Sequence, residues 1–171
     1  MIGAFIVLAL TLVEPVSHPI RSHHTRIVKA MEAATRRSAT FRGLVERLNR
    51  SDLIVYIESG RCPNRHVMSC IAVASNAGTY RYLRVTVDID HVLSILAAEI
   101  AHELGHAAEI AAAPEVIDDT TLRDLYTRIG TTSVARDVFE TTNAVRVATQ
   151  VSLELRVEPE AHAPGSPTPS K

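Results

Sequence analysis

A chain of 171 residues with 46% apolar and 22% charged residues has the length and composition of one globular domain with a buried core. Its formal net charge of −1 excludes the basic field that binding to nucleic acid or an anionic membrane surface requires. With no Trp, three Phe and four Tyr, it also lacks the aromatic platforms on which bases stack.

The N-terminus is an apolar run, Met1 to Val13, ending at Glu14 and Pro15. It is shorter than the roughly 20 residues of a membrane-spanning helix but suits the core of an export signal. No Lys or Arg precedes it, and Ser17 is the nearest approach to a small-residue cleavage site. The expectation is export, periplasmic or secreted, with residues 1–17 as a signal or apolar segment and no stable membrane span in the mature protein. A cytoplasmic protein follows instead if the run is structural.

Residues 24–37 carry Ile27, Ala30, Met31 and Ala34 at helical spacing. Ser38 or Thr40 then caps a second helix with Phe41, Leu44, Val45 and Leu48 inside. Three strands follow, at 53–57, 67–74 and 79–87, the last two separated by the turn signal Asn76-Ala77-Gly78. Short connections predict an antiparallel meander, and 79–87 is a candidate edge strand. Cys62 and Cys70 fall between the first two strands, where an exported chain would join them as a disulfide.

A long helix over 91–113 stops at Pro114. Thr121-Leu122-Arg123-Asp124 resembles a capping box opening a short helix that ends at Gly130, and another helix is predicted over 135–155. The Pro-rich stretch 158–171 reads as a disordered tail. The expected fold is therefore α+β, a single domain over 24–157: two N-terminal helices, a three-stranded antiparallel sheet, the long helix and a C-terminal helix.

Chemistry concentrates in the long helix, at Ala101-His102-Glu103-Leu104-Gly105-His106-Ala107. Residues four apart on an α-helix project to one side, one turn apart, so both imidazoles can reach one ion. Glu103 leans the same way and can take a proton from water activated by that ion. Leu96, Ile100, Leu104 and Ala111 make the helix otherwise apolar, and two His and a Glu buried there are costly unless a ligand satisfies them.

His-Glu-Leu-Gly-His on a helix after a sheet resembles the zincin superfamily of zinc peptidases, and the run from Leu96 through Phe139-Glu140-Thr141 resembles small bacterial zincin-like proteins of unassigned function. The resemblance implies one Zn2+, His102 and His106 as ligands, Glu103 as general base and a peptide or protein substrate. The metzincin continuation is excluded, since Glu109 and Ala112 stand where that branch has Gly and His. The gluzincin branch takes a Glu from a later helix, which makes Glu140 the expected third ligand, placed near the start of the C-terminal helix. Rivals are Glu115, Asp118 and Asp119 in the loop after Pro114, and Glu109, better placed to support the site than to ligate.

The family's downstream E-x-x-x-D is not matched, because position 144 is Ala; Asp137, three residues before Glu140, is the expected substitute. Glu99, one turn before His102, is a candidate to orient an imidazole, and Tyr126 a candidate donor to a developing oxyanion. The alternatives to a hydrolase are a catalytically idle zinc-binding domain of this type, acting as a binding or regulatory module, and a structural domain that holds no metal.

Overall fold

The computed structural model describes residues 19–64, 67–132 and 139–156. The predicted signal at 1–17, the tail at 158–171 and Asp137 lie outside the described residues. Strand β1 (Ile20–Arg21) leads into helix α1 (Thr25–Arg37), which buries Ile27, Ala30 and Ala34. Ser38 separates it from α2 (Ala39–Leu48). Its backbone N–H closes α1 on the carbonyl of Ala34, and its hydroxyl accepts from the Phe41 amide as the cap of α2.

Three longer strands follow: β2 (Leu53–Ser59), β3 (Ser69–Ala77) and β4 (Tyr80–Val87). The sheet order is β1-β2-β4-β3. The strands β3 and β4 form the expected antiparallel hairpin, turning at Gly78 with φ +61°. The rest of the expected meander is corrected: β2 pairs with β4, in parallel, from Leu53↔Arg81 to Ser59↔Val87. The sheet is thus mixed and four-stranded. In β2, Leu53, Ile54, Val55 and Ile57 are buried almost without alternation, as in an inner strand covered on both faces. With β4 between β2 and β3, β3 becomes an edge where 79–87 was expected.

Helix α3 (Leu93–Ala111) lies against the sheet with Leu96, Ile100, Leu104 and Ile110 inside. Its end is fixed by the buried Arg81 of β4. One guanidinium nitrogen donates to the carbonyls of Ile110, Ala113 and Val116 at 3.1, 2.8 and 3.0 Å, while the other two form a bidentate pair with Asp52. Helix α4 (Asp119–Ile129) is capped by Asp118, with Thr121 completing the capping box one turn earlier than the sequence suggests, and Gly130 ends it.

A short antiparallel pair, β5 (Thr131–Thr132) and β6 (Phe139–Glu140), precedes α5 (Thr142–Arg156). The predicted start of the last helix at Ala135 is therefore corrected. Glu140 sits on a strand, and Thr141 accepts from the amide of Ala144 to begin the helix two residues later. Helix α5 packs tightly on α3 at Gly105, where an added Cβ would lie 3.1 Å from Ala144 Cα. Among the described residues no helix is long and apolar enough to cross a membrane.

Candidate metal centre

Helical spacing brings the His102 and His106 rings edge to face, with their Nε2 atoms 3.2 Å apart. From β6, Glu140 Oε2 approaches His102 Nε2 to 3.4 Å. One ligand atom from each of the three residues lies within 4.8 Å of the others. Bonds of about 2.0–2.1 Å to a tetrahedral ion would separate ligand atoms by about 3.3 Å, which the His102–His106 and His102–Glu140 separations of 3.2 and 3.4 Å match.

Glu109 Oε2 stands 3.1 Å from His106 Nδ1, so a neutral His106 that donates there keeps its Nε2 unprotonated and free for an ion. Burial lowers the His106 pKa, but the hydrogen bond to Glu109 and the charges of Glu103, Glu109 and Glu140 outweigh it and raise the group overall. His102 is pulled down to about 4 by burial and by His106 beside it, so it is neutral at pH 7. Burial raises Glu140.

Glu103 is only 3% exposed. Burial pushes its carboxyl up to about 7, against the opposing pull of His106 and of Ser69, whose hydroxyl donates to Oε1 at 2.6 Å. A carboxyl poised there suits a group that must both accept and release a proton near neutrality. Glu103, the two His and Glu140 line one cleft of about 510 Å³, floored by Ser69–Ala72 of β3 and walled by α4.

Other residues singled out in the sequence fall as follows. Glu109 is not part of the donor cluster; it orients His106 and is itself held by Thr141 Oγ1 at 2.7 Å and Asn143 Nδ2 at 3.2 Å. Burial opposes its ionisation, but these donors hold its carboxyl below the ordinary value. The supporting carboxylate thus comes from α3 itself. An Asp at 144 would not fit where Ala144 meets Gly105. Glu115 pairs with Arg128, Asp118 caps α4, and Asp119 accepts the amide of Val73, so none of these three joins the donor cluster.

Glu99 is buried and contacts neither His102 nor His106 by a hydrogen bond; its nearest partner is His91 Nε2 at 3.9 Å, and burial raises its pKa. Tyr126 packs edge-on against His106, stacks on Phe139 and donates to the His106 carbonyl at 3.4 Å. Its hydroxyl is spent on backbone, and its place is the wall behind His106. Cys62 and Cys70 are joined as a disulfide, with Cα atoms 6.0 Å apart, beside Ser69 at the cleft. Ser69, Thr141 and Asn143 were not foreseen, since a lone hydroxyl or amide distant in sequence carries no local signal. No family model, curated protein or solved structure matches the chain.

Proposed function

We propose that this chain is a zinc-dependent hydrolase of the zincin type, a gluzincin-like peptidase that holds one Zn2+ on His102, His106 and Glu140. The observation that carries the reading is the convergence of two helical imidazoles and a carboxylate from another element, with a buried acid beside them. A zinc ion held there supplies a Lewis acid that polarises a carbonyl and activates water near neutral pH. The chain's own part is to position and to move a proton. His106 is oriented by Glu109 and His102 is kept neutral. Glu103, fixed by Ser69, accepts a proton at its carboxylate and returns it to the leaving amine. The disulfide supports export into an oxidising compartment, where peptide or protein would be the substrate.

The test is Glu103→Gln in zinc-loaded protein, assayed against a peptide library. The reading expects wild-type metal content and hydrolysis reduced at least a thousand-fold, roughly the scale of losing a general base together with its placement. Hydrolysis that survives the substitution contradicts the mechanism.

A further inference from the structure

Backbone geometry limits what the cleft accepts. In the β3–β4 ladder the Asp88 amide donates to Met68, so Met68, Cys70 and Ala72 are the residues that bond to β4. Ser69, Ile71 and Val73 therefore direct their N–H and C=O groups outward, along the edge that floors the cleft. This edge is not open throughout. Asp119 Oδ1 accepts the outward N–H of Val73 at 3.1 Å, and Asn76 Nδ2 donates to the carbonyl of Ile117. From Val73 onward, the connection into α4 covers the strand. Only Ser69 to Ala72 remains for an incoming chain, and Ser69 already marks the position of Glu103.

From Ser69 to Val73 is four residues, about 13 Å of extended chain. An extended peptide of the same pitch thus has room for about three residues between the general base and Asp119. Pairing centres on Ile71. At the closed end stands a carboxylate with one oxygen on Val73 and no further hydrogen bond or ion pair among the described residues. Asp119 is exposed to solvent and lines the cleft with Leu122 and Arg123.

We propose that Asp119 is a specificity-determining residue that closes the cleft and receives a cationic group of the substrate, so that short peptides carrying a positive charge within about three residues of the scissile bond are preferred over the interior of long chains. The shared chemistry is an ammonium or guanidinium group, supplied by a free amino terminus or by a basic side chain. This inference rests on the peptidase reading for its purpose, but the pairing surface and Asp119 can be probed by binding alone.

The experiment uses the full-length Glu103→Gln protein, loaded with zinc and checked for metal content. Amide shifts of Ile71 and Val73 and calorimetry follow three tetrapeptide probes: all-Ala with a free amine, the same peptide acetylated and amidated, and a blocked peptide with Lys at its first position. The free-amine or the Lys peptide should bind about ten-fold more tightly than the blocked one, as expected for one partly exposed ion pair, and should shift Ile71. Whichever of the two gains affinity identifies the source of the charge. Asp119→Asn, which keeps an acceptor for Val73, should erase the preference while preserving the shift at Ile71.

Equal binding of all three peptides, a preference that survives Asp119→Asn, or no peptide binding would overturn the proposal. Loss of metal with the Asp119-dependent preference intact would instead count against the zinc reading and leave the subsite standing.

Discussion

His106 Nδ1 donates to Glu109 Oε2 at 3.1 Å, three residues along the same helix, and Glu109 is held in turn by Thr141 and Asn143 at the start of α5. One carboxylate thereby ties His106 on α3 to the segment that carries Glu140. The donor set is fixed both through Glu140 itself and through this link.

Glu109→Ala should consequently weaken zinc affinity by about ten- to hundred-fold, the usual cost of removing a group that orients a ligand, although Glu109 does not touch the ion site. Glu109→Gln keeps an acceptor for His106 but loses the charge, and should fall between wild type and Ala. Competition with a chromophoric chelator measures both. Unchanged affinity in Glu109→Ala would remove this role.

Gly105 allows α3 and α5 to meet. Gly105→Ala puts a methyl 3.1 Å from backbone of Ala144, where nothing can rotate away. A loss of about 1–3 kcal/mol in urea unfolding is expected, with weaker zinc binding as the start of α5 moves off. Gly43, also helical, has nothing within 4 Å of its would-be Cβ, and Gly43→Ala should stabilise by about 0.5–1 kcal/mol. The two substitutions have opposite signs for one chemical change.

Arg81→Ala strips the buried partner from Asp52 and from three carbonyls at the end of α3. The expected loss is about 3–5 kcal/mol by chemical denaturation. Arg81→Lys should recover only a minority of it, because an ammonium cannot pair Asp52 in two places and still reach the helix end. Full recovery by Lys would show that charge alone matters there.

How far such features could be read from the sequence differs by their range. The His pair and Glu103 were readable because helical spacing alone sets their geometry. The β3–β4 hairpin was readable because Gly78 marks the turn. The parallel pairing of β2 with β4 was not, since alternation within a strand says nothing about its partner. The buried run Leu53–Ile57 was the only hint. The start of α5 was misplaced because residues 135–155 keep a helical pattern that only Thr141 interrupts. Glu109 is named by its position on the helix, yet its role emerges only when Thr141 and Asn143 arrive from elsewhere.

Acid should expose one further link. Glu154 of α5 accepts from Ser38, from Thr40 and from Gln150, joining α5 to the cap of α2. Burial opposes its ionisation, but these donors hold its carboxyl down to about 2 against an ordinary value of 4.5. Because the folded-state pKa is depressed, the stabilisation is complete above about pH 4.5 and is lost as the pH falls toward about 2. Glu154→Gln should lower stability at pH 7 and flatten its fall between those values. Parallel stability-pH curves for the two proteins would discount this contact.

The donor cluster itself is most directly tested by metal stoichiometry, measured by elemental analysis on folded protein after zinc loading and gel filtration. Wild type should carry about one zinc per chain, Glu140→Ala should lose most of it through weakened affinity, and the His102→Ala, His106→Ala double variant should carry none while remaining folded. Full metal content in the folded double variant, or a folded wild type that takes up no zinc, would contradict the assignment of His102, His106 and Glu140 as a metal site.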